Sequence, residues 1–336
     1  MSHILVTGGL GFIGSHIVTE LLQQNHTVVI IDNESNAHHD VLDSITKITS
    51  KLPIYHKVDM CNIVELKEVF DMYQFKSVIH LAGLKAVKES VDEPLRYYRT
   101  NLNILLNLLE VMEIHKITSL IFSSSATVYG SNLPLFTEDM VTGTSITNPY
   151  GKTKHFQEEI LKDYINIHPD MSVVVLRYFN PIGAHPSGYI TENPSSPPQN
   201  LMPILIKVGN QSLPYLQIFG TDYNTPDGTC IRDYIHIIDL AQAHILAMIK
   251  TSEPGIHIYN IGTGVGSSVK EIVKTFEAVN NVKIPIKCVD RRPGDLPIYC
   301  ANISKINREL GWSSKLSLED MCRDSWRAYL MSQEKN

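Results

Sequence analysis

Cysteine is scarce in this chain: five in 336 residues, at Cys61, Cys230, Cys288, Cys300 and Cys322. They are odd in number and scattered, with no C-x-x-C and no His/Cys cluster. That argues against a disulfide framework or a zinc site and for reduced thiols in a cytoplasmic protein. No apolar run is long enough to span a bilayer. A strand-like segment begins at residue 3, so no signal peptide is expected. Charge is modest as well, with 19% charged residues and a net charge of −6. That lack of basic excess argues mildly against nucleic acid or an anionic membrane as the partner. The 14 histidines, His38-His39 among them, fall at no metal-ligand spacing. Four N-x-S/T sequons, at Asn25, Asn33, Asn210 and Asn302, are expected to be chance matches, since no export signal is expected. There are no internal repeats or low-complexity tracts. What remains is expected to be a soluble globular protein, 43% hydrophobic, with material for one large or two ordinary domains.

Glycine, by contrast, is concentrated at one place. Ile4 to Thr7 is an apolar run short enough for a buried strand, and Gly8-Gly9-Leu10-Gly11-Phe12-Ile13-Gly14 follows at once. Ile13, Ile17 and Leu21 then recur at helical spacing. The cluster reads as G-x-G-x-x-G on Gly9, Gly11 and Gly14, and as G-x-x-G-x-x-G on Gly8, Gly11 and Gly14. Such glycines allow a tight turn, a close approach of backbone to a pyrophosphate, and close packing of helix on strand. The helix N-terminus adds free N–H groups for phosphate. A second apolar run, Thr27 to Ile31, ends in Asp32, 18 residues past Gly14. A carboxylate there accepts ribose hydroxyls and repels a 2′-phosphate, which favours NAD over NADP.

The polar stretch Asn33 to Asp40 suits a loop over an adenosine. A helix is expected from Val41 to about Ser50, then a strand from Pro53 to Asp59, whose terminal acid can approach the adenine amino group. A helix from Asn62 to Tyr73 and a buried strand from Ser77 to Leu81 continue the alternation. This is the pattern of an α/β protein with a Rossmann-type doubly wound parallel sheet, whose ligands sit beyond the carboxyl ends of the strands. Ala82-Gly83-Leu84-Lys85 follows the fourth strand, so Lys85 is placed to meet a phosphate. A long helix from about Pro94 to His115 carries Leu102, Leu105, Leu106, Leu109 and Met112 as its apolar stripe. The strand Ser119 to Phe122 then runs into Ser123-Ser124-Ser125.

Later helices are expected after His236, over Val269 to Val279 and over Leu318 to Leu330, with an apolar strand at His257 to Gly262. Gly and Pro become frequent from Pro181, and Pro194 to Pro198 reads as a loop. These shifts suggest a cofactor-binding domain in 1–180 and a smaller α/β substrate-binding domain in 181–336. Segments near 234–262 are expected to return to the first.

Asn148-Pro149 marks a helix start, with Ile160, Leu161 and Tyr164 periodic behind it. Tyr150 and Lys154 are then i and i+4, on one face. The pair has a chemical use. A phenol titrates near a pH of about 10 and must be lowered by several units to act as a base near neutrality. A neighbouring ammonium, with a positive nicotinamide ring, is expected to supply the field that lowers it.

Gly8/Gly11/Gly14, Ser125 and Tyr150-x-x-x-Lys154 together resemble the extended short-chain dehydrogenase/reductase superfamily. More closely, Leu84-Lys85-Ala86-Val87, the Ser123–Gly130 run and Arg177-Tyr178-Phe179-Asn180-Pro181 look like the UDP-glucose 4-epimerase family. The likeness continues in the Gly183–Gly188 run, Asn200-Leu201-Met202-Pro203, the Gly228–His236 run and Arg291-Arg292-Pro293-Gly294-Asp295, so it spans the chain. It implies an NAD-dependent isomerase of galactose metabolism that interconverts UDP-glucose and UDP-galactose through a 4-keto sugar, as a homodimer and without a metal. It also implies that Tyr150 takes the proton of the sugar 4-hydroxyl, that Ser125 hydrogen-bonds at the same oxygen, and that Lys154 holds the nicotinamide ribose.

Carried over residue by residue, the resemblance assigns the cofactor to Gly8, Gly11, Phe12, Ile13, Gly14, Asp32, Asn33, Glu34, Ser35, Asn36, Ala37, Asp59 and Met60. Leu81, Ala82, Gly83, Leu84, Lys85, Thr100, Ser125, Tyr150, Lys154 and Phe179 complete that set. It assigns the UDP-hexose to Lys85, Ser125, Tyr150, Tyr178, Asn180, Asn200, Leu201, Phe219, Arg232, Arg292, Asp295 and Tyr299. Arginine forks suit a diphosphate and an aspartate suits ribose hydroxyls. Thr100 departs from the asparagine common at its place. Two other readings stay open. A nucleotide-sugar dehydratase or decarboxylase shares the 4-keto chemistry, but dehydration uses an Asp-Glu pair directly after the threonine, where Thr127 is followed by Val128-Tyr129. A regulatory protein that only senses NAD could keep the glycines and lose the tyrosine, whereas Ser125, Tyr150 and Lys154 are all present.

Overall fold

The computed structural model describes residues 2–130, 135–192, 200–292 and 295–334. Its first half alternates strand and helix: β1 His3–Thr7, α1 Phe12–Gln23, β2 Val28–Asp32, α2 Val41–Thr49, β3 Ile54–Lys57, α3 Ile63–Met72 and β4 Phe75–His80. Then come α4 Val87–Asp92, α5 Pro94–Ile114, β5 Ser119–Ser125, a single 3-10 turn at Ala126–Tyr129, β6 Leu135–Phe136, α6 Pro149–Ile167 and β7 Ser172–Tyr178. The second half runs β8 Asn180–Ile182, α7 Leu201–Gly209, β9 Leu216–Phe219, β10 Ile231–His236, α8 Ile237–Lys250 and β11 Gly255–Ile261. It closes with β12 Gly266–Ser268, α9 Val269–Asn280, β13 Ile286–Val289, β14 Ile298–Ala301, α10 Ser304–Leu310 and α11 Leu318–Gln333.

A seven-stranded sheet has the order β11-β7-β5-β4-β1-β2-β3. The pairings β3–β2, β2–β1, β1–β4 and β4–β5 are all parallel. After β1 the chain builds outward through β2 and β3, then returns to place β4 on the other side of β1. That reversal is the switch point at which doubly wound sheets open a crevice for ligands, beyond the carboxyl ends of the strands. The strands are buried on both faces, as β2, β5 and β7 show along their whole length. Leu5, Val29, Val78, Phe122 and Val175 pack with Leu105, Leu108, Met112 and Leu161 from the helices in one apolar cluster.

Local chemistry fixes the helix starts. The Asn62 side chain accepts the N–H of Val64 to begin α3, and the Asn148 side chain accepts that of Gly151, with Pro149 in the first turn, to begin α6. Ser268 and Ser317 form capping boxes with Glu271 and Asp320. Two expectations need adjusting. The strand expected to stop at Phe122 runs on through the three serines, all of them buried, because neighbouring strands and helix α6 bond them. The strand expected over Pro53 to Asp59 is trimmed to Ile54–Lys57. The short helix α4 had no periodic signal to announce it. The loop Pro194 to Pro198 lies outside the described residues.

The chain forms two compact units. The first comprises Met1–Gly130, Val141–Arg177 and Ala241–Tyr259; the second comprises Ser131–Met140, Tyr178–Leu240 and Asn260–Asn336. The second has its own core, in which Ile182, Leu205, Ile218, Ile272, Phe276 and Cys322 meet. Its strands run in the order β12-β10-β14-β6, with β8 beside β10 and a separate β13–β9 pair. Among the described residues no helix is long and apolar enough to cross a membrane, and no group of three or more His, Cys, Asp or Glu could hold a metal ion.

Candidate functional site

In the first unit the glycine loop joins β1 to α1, and its glycines do different work. Gly8 has φ +69°, and a Cβ there would lie 2.9 Å from the Ala82 backbone nitrogen. A Cβ on Gly14 would lie 2.2 Å from the Gly8 carbonyl oxygen and one on Gly9 would lie 2.6 Å from Ile30. These three let the chain pack on itself. Gly11 differs: a Cβ there meets only the Gly8 oxygen, at 3.3 Å. Space is therefore kept free of protein at the N-cap of α1, which has no side-chain cap of its own. The N–H groups around Phe12 and Ile13 remain for a phosphate group. The cradle fits a dinucleotide.

Asp32 ends β2 with its carboxylate only 9% exposed. One oxygen accepts the N–H of Leu10 at 3.1 Å and the other that of Glu34 at 2.9 Å. Burial pushes its pKa up, and these backbone bonds oppose the rise. The residue thus ties the glycine loop to the turn after β2, with lone pairs left for ribose hydroxyls. In that turn Asn33, Ser35 and Asn36 are exposed, and Glu34 and Ala37 half-buried. Glu34 accepts from Lys57 at 2.6 Å and Tyr55 at 2.7 Å and meets His39 at 2.9 Å, which pulls its carboxyl down to about 2. Asp59 is exposed and its side chain accepts the N–H of Cys61, next to buried Met60.

At the switch point Thr7 Oγ1 accepts the N–H groups of Leu81 and Ala82, each at 3.2 Å. Its own proton therefore goes to His80 Nδ1, 2.8 Å away. Burial, with Lys154 second, pushes His80 down to about 3, so it is neutral. The loop Leu81-Ala82-Gly83-Leu84-Lys85 is held by Asn101, which bonds the N–H and C=O of Leu84 at 2.8 and 3.0 Å and also Thr153 Oγ1 at 3.0 Å. Lys85 is exposed at the loop's end, and Thr100, beside Asn101, is half-buried.

Helix α6 carries Tyr150 and Lys154 on one face, against the end of β5. Ser125 is 9% exposed and its oxygen accepts from Thr127 Oγ1 at 3.0 Å. Its hydroxyl also bonds Tyr150. Lys154 Nζ donates to the Ser123 carbonyl at 2.7 Å and lies 4.9 Å from the centre of the Phe122 ring. Burial lowers its pKa to about 8, against the pull of Glu158. Tyr150 keeps part of its surface exposed, yet the protein packed around the phenol pushes its pKa up, the Ser125 bond acting the other way. Burial thus disfavours the phenolate in the chain alone, and the field expected from Lys154 together with a positive nicotinamide ring has to overcome it.

In the second unit, Arg232 of β10 meets Asp295 at 3.3 Å and bonds the Ile231 and Leu296 carbonyls at 2.9 and 2.7 Å. The parallel pairing of Arg232 with Tyr299 on β14 brings these distant segments together. The Arg292 guanidinium lies 3.7 Å over the Phe219 ring. Between Arg292 and Asp295, residues Pro293 and Gly294 fall outside the described residues. Tyr299 packs on Phe136 at 4.5 Å and on Phe179 at 5.7 Å, ring centre to ring centre. Its neighbour Cys300 faces the other way, buried toward Gly266. Tyr178 and Phe179 are buried and Asn180 half-buried. Asn200 is the N-cap of α7 but its side chain bonds Glu192 at 2.8 Å, next to half-buried Leu201.

Reading the sequence passed over Asn101 and Glu158, and named Ser124 and Arg177 only as members of motifs, without a role. All are buried polar groups joined to the segments that carry Lys85, Ser125 and Lys154. A polar residue inside an apolar helical stripe, as Asn101 is between Tyr97 and Ile104, was the available signal.

Residues 5–325 match the family model described as GDP-mannose 4,6 dehydratase. The chain is 47% identical over 327 residues to a UDP-glucose 4-epimerase of Bacillus subtilis, a match covering 96% of each chain. It is 46% identical over 334 residues, 97% of this chain and 96% of the other, to a UDP-glucose 4-epimerase of Mus musculus. Among solved structures it matches a UDP-glucose 4-epimerase from Bifidobacterium longum in complex with NAD+ and UDP, with a TM-score of 0.94 and 43% identity, over 100% of both chains.

Proposed function

The chain belongs to the UDP-glucose 4-epimerase family, and from that membership we propose how its residues divide the work. It is an NAD-dependent isomerase that interconverts UDP-glucose and UDP-galactose. Bound NAD supplies the acceptor and donor of hydride at the sugar's C4 and a positive ring that lowers the Tyr150 phenol. Tyr150 takes the proton of the sugar 4-hydroxyl and returns it after the 4-keto sugar has turned over. Ser125 holds that oxygen, and Lys154, fixed by Ser123 and Phe122, holds the cofactor ribose. The Gly8/Gly11/Gly14 loop, Phe12 and Ile13 take the pyrophosphate, Asp32 the adenosine ribose, and Lys85 a phosphate.

Arg232 and Arg292 grip the UDP diphosphate, Asp295 and Asn200 its polar groups, and Phe219, Leu201, Tyr178 and Asn180 pack on the nucleotide sugar. Residues 1–180, with 234–262, serve as the cofactor domain and 181–336 as the substrate domain. The observation that carries this reading is the array of Tyr150 and Lys154 on α6 against the serines of β5, at the carboxyl end of the sheet. Dehydration is disfavoured because Val128 and Tyr129 after Thr127 are buried and lack an acid. The test is direct: the purified protein, without added cofactor, converts UDP-galactose to UDP-glucose and releases NAD, not NADP, on denaturation. No conversion, or released NADP, would overturn the reading.

Tyr299 sets substrate width. It stands against the sugar near C2, held between the Phe136 and Phe179 rings, so it has little freedom to move aside for a bulkier substituent. Overpacking costs about 1–3 kcal/mol, or roughly ten- to a hundredfold in rate. Wild-type protein is expected to turn over 2-acetamido UDP-sugars that much more slowly than the plain sugars, and Tyr299→Cys to raise turnover of UDP-N-acetylgalactosamine. Equal wild-type rates on both classes would show that Tyr299 does not gate the pocket.

The protein acts as a cytoplasmic homodimer in galactose metabolism. Of the α5 stripe, Leu105, Leu109 and Met112 are covered within the unit, while Leu106 is 47% exposed, as is Leu95 outside the stripe, at 75%. On α6, Phe156 is 43% and Ile167 73% exposed. These side chains line two helices packed on each other, a face suited to a second copy. Sedimentation at micromolar concentration is expected to give a dimer, and a monomer would refute this.

A further inference from the structure

Three residues of α6, spaced four apart, each reach a different serine at the end of β5. The Ser125 hydroxyl bonds Tyr150, Lys154 donates to the Ser123 carbonyl at 2.7 Å, and Glu158 accepts from the Ser124 hydroxyl at 2.5 Å. The first two rungs belong to the reaction described above; the third does not. Glu158 is fully buried, and so is Arg177 on the neighbouring strand β7. Arg177 grips both carboxylate oxygens, Nε to Oε1 at 3.0 Å and Nη2 to Oε2 at 2.6 Å, and donates Nη1 to the Tyr129 hydroxyl at 2.8 Å. Two parallel charge-assisted bonds fix the carboxylate in place. A buried ion pair is a weak source of stability, because desolvation offsets the attraction. Its position next to Lys154 suggests another use.

We propose that Glu158 is a positioning residue, which locks α6 in register with β5 through Ser124 and sets the charge that Lys154 and Tyr150 feel one and two helical turns away. The groups around Lys154 leave it that role. From β4 comes His80, held neutral; from β5 the Phe122 ring and the Ser123 carbonyl. The loop after β4 presents Lys85, exposed, and α5 presents the neutral Asn101 to Thr153 and Gln157. The ion group Glu89–Arg96–Glu93 joins α4 to α5, and Glu89 also accepts from the Tyr97 hydroxyl. From β7 comes Arg177, engaged with Glu158. The carboxylate favours the charged form of Lys154 and disfavours a phenolate at Tyr150, while Arg177 moderates both.

Glu158→Gln keeps the shape and the oxygen that Ser124 bonds, but removes one negative charge and leaves Arg177 uncompensated. Lys154 and Tyr150 then both lose their protons at lower pH. The inference rests on Tyr150 as the proton acceptor, so Tyr150→Phe accompanies the test. Two readouts are compared: the acid limb of kcat against pH with UDP-galactose, and the phenolate absorbance titration of the NAD-loaded protein, with Tyr150→Phe subtracted. In Glu158→Gln both midpoints are expected to fall by about one to two pH units, the effect of a unit charge at that separation. Ser124→Ala, which breaks the rung and leaves the charges, is expected to lower kcat about tenfold with both midpoints in place.

Midpoints in Glu158→Gln within about 0.3 unit of wild type would overturn the electrostatic role, and wild-type kcat in Ser124→Ala would overturn the register role. Either failure beside an inactive Tyr150→Phe falls on Glu158 alone. An active Tyr150→Phe instead removes Tyr150 as the acceptor.

Discussion

Phenylalanine at position 150 yields a folded protein that retains NAD and converts UDP-galactose about a hundred- to ten-thousandfold more slowly, the usual loss when a positioned acid–base group is removed. The fold should hold because the phenol's bond to Ser125 is replaceable: the Ser125 oxygen already accepts from Thr127, and its proton can turn to water. The ring keeps its place on the first turn of α6, which Asn148 and Pro149 secure independently. Cofactor content measured by absorbance, the melting temperature and kcat together check the outcome. A loss below about tenfold would take Tyr150 out of its assigned role. Burial raises the phenol's pKa in the chain alone, so the phenolate absorbance midpoint should rise when the bound cofactor is reduced and its ring loses its charge.

The second large effect is a contrast between two glycines three residues apart. Alanine at Gly14 places a methyl group 2.2 Å from the Gly8 carbonyl and 2.7 Å from Gly9 Cα, both of them backbone. Neither can swing away, so the loop must deform; the expected cost is about 2–3 kcal/mol, and retained NAD is lost with the geometry. Alanine at Gly11 meets one oxygen at 3.3 Å and should leave the melting temperature of the cofactor-free protein unchanged. Its methyl occupies the space a pyrophosphate needs, so NAD retention should collapse. Thermal unfolding with and without NAD separates the two. Equal destabilisation of the cofactor-free forms would show that the loop does not divide its glycines between packing and ligand approach.

Much of this was legible in the residues because glycine spacing, the acid after β2 and the i, i+4 pair on α6 are local patterns with local causes. The buried polar groups were not. Glu158 and Glu159 stand side by side, and nothing in a helical pattern separates them. Yet Glu159 is exposed and pairs with Lys162 at 2.7 Å, while Glu158 is enclosed with Arg177. Only the pairing of β7 with β5 decides which is which. Arg232 and Asp295 are 63 residues apart, and their meeting depends on β10 and β14 lying parallel. The strand is expected to end at Phe122, because serine favours turns over strands. Bonds with α6 outweigh that preference, as in Lys154 to the Ser123 carbonyl and Ser124 to Glu158. The tuning expected of Tyr150 by Lys154 and a nicotinamide ring works against a non-local effect, the desolvation of the phenol, which only the folded surroundings supply.

The chain passes from one unit to the other after Gly130, Met140, Arg177, Leu240 and Tyr259. On a ribosome this has a temporal meaning. When β7 has emerged at residue 178, its partner β11 is still unmade, and a strand buried along its full length in the finished protein is an open edge. Such an edge is a template for pairing with other chains. The missing strand lies about 80 residues further on, on the order of several seconds of synthesis. Through that interval the edge of the nascent sheet stays open to such pairing. A gene cut near residue 180 makes the interval permanent: the N-terminal product keeps the glycine loop, Tyr150 and Lys154, but lacks the strand that closes its sheet.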